Sequence, residues 1–168
     1  MKDENSAFDP LVDGFVMNER GELEDELPAV VMDVSYLVSA LLCEFSPNES
    51  ESPRAFIQNL LSKNGQIVVP QLFWFEVGNV LLNASRPKKN GFPARISLVQ
   101  LDSITYLLGD LPIYTDSQPN AEIRSRIMRM AQEEGLSYYD ASYLELARRK
   151  CLSLKTLDLE LLAASGKV

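Results

Sequence analysis

Short apolar runs that alternate with longer helical patterns constrain the fold more than any other feature of this chain. The runs are PAVVMD (28–33), QIVV (66–69), LPIYT (111–115) and CLSLKT (151–156). Their length and their β-branched residues are typical of buried strands. The segments that separate them carry apolar residues at helical spacing and stop at glycines or polar loops. This alternation predicts an α/β domain with a central, mainly parallel sheet.

The acidic residues are distributed unevenly along the 168 residues, whose formal net charge is −8. Residues 1–30 contain nine acidic and two basic residues, a net charge of −7, so the rest of the chain is close to neutral. We therefore expect residues 1–27 to form an acidic N-terminal extension that is disordered or loosely docked. Residues 28–168 have the length of one folded domain.

The residue types that the chain lacks exclude several kinds of catalytic site. The sequence contains no histidine, which removes Ser-His and Cys-His nucleophile pairs and histidine zinc sites. Its two cysteines, Cys43 and Cys151, are too few for a disulfide scaffold, and we expect both to be buried. No apolar run approaches the ~20 residues that span a bilayer, and the N-terminus does not resemble a secretion signal. We therefore predict a cytoplasmic protein, in which any hydrolysis depends on carboxylates and metal ions.

Four acidic residues lie beside apolar segments that should be buried: Asp33, Glu76, Asp140 and Asp158. A carboxylate in such a place is costly unless something pairs with it. Asp33 and Asp158 follow predicted strands, while Glu76 and Asp140 lie early in predicted helices. Because ligand sites in open α/β sheets form outside the carboxyl ends of the strands, we expect the four side chains to meet there. Helix capping is the alternative explanation for each acid alone, and for Asp158 above all.

The chemistry of these four acids indicates which ion they would bind. Oxygen ligands without histidine or thiolate favour Mg²⁺ or Mn²⁺. Mg²⁺ keeps several of its waters, so a few carboxylates suffice and substrate phosphate oxygens complete the shell. Two such ions about 3.5–4 Å apart can activate water and stabilise the leaving oxygen of a phosphodiester. The sequence therefore predicts a metal site suited to phosphodiester hydrolysis.

Four segments around the acids form an ordered set of motifs. They are VVMDVSYLVSALL, VPQLFWFEVGNVLL, LSYYDASYLELARR and LKTLDLELL. Together they resemble the PIN-domain family, especially the VapC-type toxin ribonucleases of bacterial toxin–antitoxin pairs. The resemblance extends over residues 29–165 and implies a three-layer α/β/α fold with a sheet of four or five strands. The fifth would be the short strand that ends the family's fold, where this chain has only SGKV.

The resemblance implies a metal-dependent endoribonuclease that uses Mg²⁺ or Mn²⁺ and leaves a 5′-phosphate and a 3′-hydroxyl. The family's metal-binding acids correspond to Asp33, Glu76, Asp140 and, as the usual fourth, Asp158. Its supporting polar positions correspond to Ser35, Asn79 and Thr156. The family also implies an RNA substrate, a homodimer and a small cognate antitoxin that occludes the site.

Two other interpretations of the same residues stay open. A PIN-like protein without catalytic activity would bind RNA or a protein partner. A small phosphatase with Asp33 as its nucleophile is disfavoured, because DVS lacks the second aspartate that haloacid-dehalogenase-like sites use. Arg86, Lys88, Lys89 and Arg95 are candidates for contacts with RNA phosphates, although a loop rich in lysine is also typical of solvated surface.

Overall fold

Four strands and seven helices are present in residues 28–42 and 52–166, which are the residues that the computed structural model describes. The strands are β1 (Ala29–Met32), β2 (Gln66–Val69), β3 (Ile113–Thr115) and β4 (Leu154–Lys155). The helices are α1 (Val34–Leu41), α2 (Pro53–Ser62), α3 (Leu72–Ala84), α4 (Leu98–Asp110), α5 (Ala121–Glu134), α6 (Tyr138–Lys150) and α7 (Leu159–Ser165). The acidic extension predicted for residues 1–27 lies outside the described residues, so that prediction stays open.

The strands form one parallel sheet in the order β3-β2-β1-β4. In the centre, Val31 of β1 pairs with Val68 of β2 on one side and with Leu154 of β4 on the other. The two central strands are almost entirely buried, because a parallel sheet is covered on both faces. The described residues thus confirm the predicted parallel sheet, with four strands.

Helices cover both faces of this sheet and complete a three-layer α/β/α architecture. Helix α1 packs against α2 and α3, while α6 packs against α5, α7 and the strands β1 and β4. Among the helices that the structure describes, α6 has the longest buried run, since every residue from Ala141 to Ala147 is buried. Its Tyr143 is the largest of the fully buried side chains. The packing of α6 therefore fixes the positions of the side chains on several of its faces.

The N-terminal ends of the helices are fixed by short polar side chains. Ser52, Ser97, Asn120 and Ser137 each accept a hydrogen bond from a backbone N–H in the first turn that follows. Ser97 and Gln100 form a reciprocal capping box. Helix α4 therefore begins at Leu98, directly after its Ser97 cap.

The turn between α2 and β2 shows why Gly65 is required there. The left-handed backbone conformation is taken by Asn64, with φ 56°. Gly65 is needed for space instead, because a Cβ at this position would lie 2.6 Å from the carbonyl oxygen of Pro28. That oxygen accepts a hydrogen bond of 2.9 Å from the N–H of Gln66, which starts β2 beside β1. The turn therefore sets the register of the two central strands.

The structure bears on two further predictions, one about membrane-spanning segments and one about the two cysteines. None of the helices in the described part of the chain is long and apolar enough to cross a membrane. Cys151 is exposed, so the prediction that it is buried is wrong. It adopts a left-handed conformation, with φ 54°, just after the last turn of α6, where the chain turns toward β4 at the surface. Cys43 lies outside the described residues.

Candidate functional site

Asp33 directly follows β1 and lies at the carboxyl end of the sheet, as the sequence predicts. Its backbone N–H donates to the carbonyl oxygen of Lys155 on the neighbouring strand, at 2.9 Å. Its Oδ2 accepts two hydrogen bonds, one of 2.5 Å from Ser35 Oγ and one of 2.9 Å from Thr156 Oγ1. The carboxylate is therefore 9% exposed but well hydrogen-bonded. Ser35 and Thr156, both predicted as supporting residues, hold its orientation.

Glu76 lies in the second turn of α3 and is half-buried. Its Oε2 accepts a hydrogen bond of 2.6 Å from the hydroxyl of Tyr143 on α6. Burial raises the pKa of Tyr143, and its bond to the Glu76 carboxylate raises that pKa further. The tyrosine therefore stays protonated and acts as a fixed donor to Glu76.

Asp140 lies in the first turn of α6, where the helix dipole favours a negative charge. Ser137 Oγ donates to Asp140 Oδ2 at 2.6 Å, and the N–H of Asp140 donates back to Ser137 Oγ at 3.1 Å. The reciprocal pair fixes both the start of α6 and the side chain of Asp140. Tyr143 lies three residues later and thus on the same side of the helix.

Asp33, Glu76 and Asp140 lie close enough together to affect one another's charge. Burial is the main cause that raises the pKa of Glu76, and the hydrogen bond from Tyr143 opposes it. The negative charges of Asp33 and Asp140 raise the pKa of Glu76 further. The strand end, α3 and α6 thus bring three predicted acids to one place, although the sequence separates them by 43 and 64 residues.

Asp158 has a different environment from the other three acids. It is exposed, and its Oδ1 caps α7 by accepting hydrogen bonds of 2.9 Å from the N–H groups of Glu160 and Leu161. Its own N–H donates to Thr156 Oγ1 at 2.9 Å, and Thr156 is bonded to Asp33. Asp158 is therefore connected to Asp33 by hydrogen bonds through Thr156. It also caps a helix, as the alternative explanation from the sequence predicts. Metal binding by Asp158 stays a prediction.

A surface cleft of about 490 Å³ is lined by Glu76, the one of the four acids that contributes to its wall. Its lining includes Ser35, Glu76, Asn79, Arg95 and Leu157. The backbone N–H groups of Arg95 and Ile96 both donate to the carbonyl oxygen of Ala84, which ties this segment to the end of α3. The cleft thus combines the carboxylate of Glu76, the side-chain amide of Asn79 and the guanidinium group of Arg95. This combination suits a phosphorylated ligand.

The donor set can be compared with the needs of a divalent cation. Within residues 28–42 and 52–166, no three His, Cys, Asp or Glu side chains are grouped closely enough to hold one ion by themselves. Each acid is instead held by a hydroxyl or backbone donor. Mg²⁺ usually takes only one or two carboxylates and fills its shell with waters and substrate oxygens. The residues present fit a site in which water and substrate oxygens complete the coordination shell. They do not fit a site in which protein side chains supply every ligand.

Residues that the sequence analysis did not identify support the other side of α6. Arg149 Nη2 donates to Asp116 Oδ2 at 2.6 Å, and Arg149 Nε lies 3.2 Å from both oxygens of Glu145. Arg126 Nε lies 3.3 Å from Glu145 Oε1. Burial alone would lower the pKa of Arg149, but these two acids raise that pKa above its usual value. We call Asp116, Glu145 and Arg149 the buried charge network; Arg126 joins it from a partly exposed position.

Two solved structures have a fold similar to that of this chain. PAE2754 from Pyrobaculum aerophilum is 22% identical and aligns over 83% of this chain and 81% of that chain, with a TM-score of 0.58. FitAcB from Neisseria gonorrhoeae is 16% identical and aligns over 82% of this chain and 93% of that chain, with a TM-score of 0.52. Neither a protein-family model nor a curated protein sequence matches the chain. The fold, a three-layer α/β/α sandwich around a parallel sheet, is PIN-like.

Proposed function

We propose that the protein is a divalent-metal-dependent endoribonuclease that hydrolyses RNA phosphodiester bonds. The observation that supports it best is the convergence of Asp33, Glu76 and Asp140, where two of the carboxylates raise the pKa of the third. Three acids that repel one another at a sheet edge are costly unless a cation offsets their charge. Asp33, Glu76 and Asp140, with Asp158 as a fourth, would hold Mg²⁺ or Mn²⁺.

A cation held there would polarise the phosphodiester and lower the pKa of a water nucleophile. The chain's own residues position the ligands for this chemistry. Ser35 and Thr156 orient Asp33, Tyr143 orients Glu76, and Ser137 orients Asp140. Such supporting hydrogen bonds typically contribute about 10–100-fold to metal affinity or activity.

RNA is the substrate that best matches the surroundings of the acids. Arg95 and Asn79 line the same cleft as Glu76 and can donate hydrogen bonds to the phosphate oxygens of a bound strand. The chain lacks histidine, so it has no imidazole to serve as the general base of a metal-free ribonuclease. Hydrolysis by carboxylates and bound metal ions is the type of mechanism that remains for RNA cleavage.

We further propose that the protein is the toxin of a cytoplasmic toxin–antitoxin pair and that it forms a homodimer. Helix α4 supports the homodimer, because Leu98, Val99 and Tyr106 form an exposed apolar stripe along it. A cognate antitoxin would act by covering the cleft that Glu76 and Arg95 line. Sedimentation of the purified chain tests the homodimer directly.

Cleavage of a pooled RNA substrate with added Mn²⁺ tests the proposed activity. The wild-type chain should produce fragments with 5′-phosphates, and chelation of the metal should stop the reaction. Asp33→Asn should abolish cleavage, whereas Asp102→Asn, on the exposed face of α4, should leave it unchanged. If no RNA is cut at any Mn²⁺ concentration, the alternative of an inactive PIN-like protein that binds RNA or a protein partner replaces the proposal.

A further inference from the structure

A second cavity lies on the side of α6 that carries the buried charge network. Its volume is about 260 Å³, and its walls come from the start of α3, from residues 116–119 and from the facing sides of α5 and α6. Leu72, Pro119, Ile123, Ile127 and Leu146 provide apolar surface. A small apolar cavity with a few polar groups is the usual form of a ligand site.

The charged side chains around this cavity balance one another. Asp116 and Glu145 contribute two negative charges, and Arg124 and Arg149 contribute two positive charges. Arg149 uses Nη2 and Nε for Asp116 and Glu145, and it has no other hydrogen bond within the described residues, which leaves Nη1 as a donor. A neutral lining with both donors and acceptors disfavours a phosphate and favours an uncharged ligand with complementary polar groups.

The aromatic ring of Phe75 forms part of the cavity wall although it is 80% exposed. Phe75 immediately precedes Glu76 on α3, so the same helix contributes a wall of this cavity and a carboxylate of the candidate metal site. Tyr138 also lines the cavity, two residues before Asp140. An exposed ring beside an apolar cavity offers a stacking surface, and unpaired bases of single-stranded RNA stack on such rings.

We propose that this cavity is a subsite for one unpaired nucleobase of the RNA substrate, stacked on Phe75 and hydrogen-bonded by the polar side chains of the cavity wall. The inference rests on the proposed ribonuclease function and specifies how the same site recognises its substrate. A nucleobase is planar and uncharged and carries both donors and acceptors, which matches each property of the lining. Base recognition in this cavity would select where the strand is cut.

Trp74 gives a direct measurement of occupancy, because it is the only tryptophan in the chain. Its Nε1 donates to Thr115 Oγ1 at 2.8 Å. Phe75 follows Trp74 in the chain and Asp116 follows Thr115, and both of these residues line the cavity. Each of the four nucleosides is added to the full chain without metal, and tryptophan fluorescence is excited where nucleobases do not absorb. At least one nucleoside should change the fluorescence saturably, whereas ribose 5-phosphate, which has no base, should not.

Substitutions of the ring identify the contact. Phe75→Leu keeps an apolar side chain but removes the ring, and it should weaken nucleoside binding about tenfold, as expected for one stacked base. Phe75→Tyr keeps the ring and should bind like the wild type. Phe92→Leu is the matched control, because Phe92 is also an exposed phenylalanine, at 63%, but lies between α3 and α4, outside the cavity. With short RNA substrates, Phe75→Leu should raise KM about tenfold with little change in kcat.

The outcomes separate this inference from the proposed function. If the wild-type chain cleaves RNA with Mn²⁺ but no nucleoside changes the Trp74 fluorescence, the subsite is refuted and the function stands. If nucleosides bind and Phe75→Leu weakens their binding, but no RNA is cut, the subsite stands and the nuclease proposal fails. If Phe75→Leu alters sedimentation while nucleoside binding is unchanged, the ring is a contact between two copies of the chain, and the subsite is refuted.

Discussion

The hydroxyl of Tyr143 donates a hydrogen bond to Glu76 Oε2 at 2.6 Å and so connects two helices across 67 residues of sequence. Tyr143 is fully buried, 1% exposed, and lies within the buried run of α6. Because α6 also carries Asp140, this bond fixes Glu76 relative to Asp140. The core packing of α6 therefore determines the geometry of the candidate metal site.

Removal of this hydroxyl should weaken the site and leave the fold intact. Tyr143→Phe keeps the buried ring but leaves Glu76 without its donor, so we expect Mn²⁺ affinity and cleavage to fall about 10–100-fold. Mn²⁺ binding can be measured by calorimetry and cleavage by gel assay. Tyr36→Phe is the control, since Tyr36 is half-buried and its ring packs edge-on against Phe56. Equal activity in the two variants would contradict the assigned role of Tyr143.

Glu76 should make the metal-free protein less stable as the pH rises. Its pKa in the folded chain is raised, first by burial and then by Asp33 and Asp140, above the ordinary value of 4.5. The folded protein therefore retains a proton that the unfolded chain has already released. Its free energy of unfolding is highest below the ordinary pKa and falls as the pH rises toward the raised pKa.

Glu76→Gln should remove this loss, because the amide has no charge and its oxygen still accepts from Tyr143. At neutral pH without metal, the variant should have a higher Tm than the wild type, because it lacks the charge that burial and the neighbouring acids disfavour. At about pH 4 the two proteins should melt together. Glu133→Gln on the exposed face of α5 is the control. A variant that is less stable than the wild type at neutral pH would show that the carboxylate is stabilising.

The strands and helices, and the positions of Asp33, Glu76 and Asp140, could be predicted because their signals are local in sequence. The β-branched runs define the strands, and parallel strands place Asp33 and its neighbours at one edge. Tyr143 could not be predicted in the same way, because in YYDASY a buried tyrosine looks like any core aromatic. Its function depends on a contact with Glu76, 67 residues away, which is made only when α3 and α6 take their positions in the folded domain.

The buried charge network was missed for a related physical reason. Arg149 lies among Arg148 and Lys150, where basic residues are expected because they favour the C-terminal end of a helix. Nothing in that run indicates which residue turns inward. Asp116, 33 residues earlier, is brought to Arg149 by the end of β3, whose position the sheet order fixes. Long-range ion pairs of this kind become visible only when the layers are assembled.

The ion pair between Asp116 and Arg149 should contribute much more to stability than pairs at the surface. Asp116→Ala removes the acceptor of Arg149 Nη2, while Glu145 still pairs with Nε, so we expect the free energy of unfolding to fall by about 1.5–3 kcal/mol, the range for a hydrogen bond to a charged group. Glu122→Ala breaks the exposed pair with Arg126 and should cost less than about 0.5 kcal/mol. Urea unfolding of both variants gives the comparison. Similar values would mean that the network is solvated.

Asp158 is the acid for which capping and metal binding can be separated by substitution. Its Oδ1 caps α7, and asparagine caps a helix about as well as aspartate does. Asp158→Asn should therefore leave the free energy of unfolding within about 0.5 kcal/mol of the wild type, whereas Asp158→Ala should lower it by about 1 kcal/mol. As a metal ligand, Asp158 would still be needed for its charge, so we expect Asp158→Asn to lower Mn²⁺-dependent cleavage at least about tenfold. Wild-type cleavage by Asp158→Asn would instead restrict Asp158 to its capping role and leave Asp33, Glu76 and Asp140 as the acids of the site.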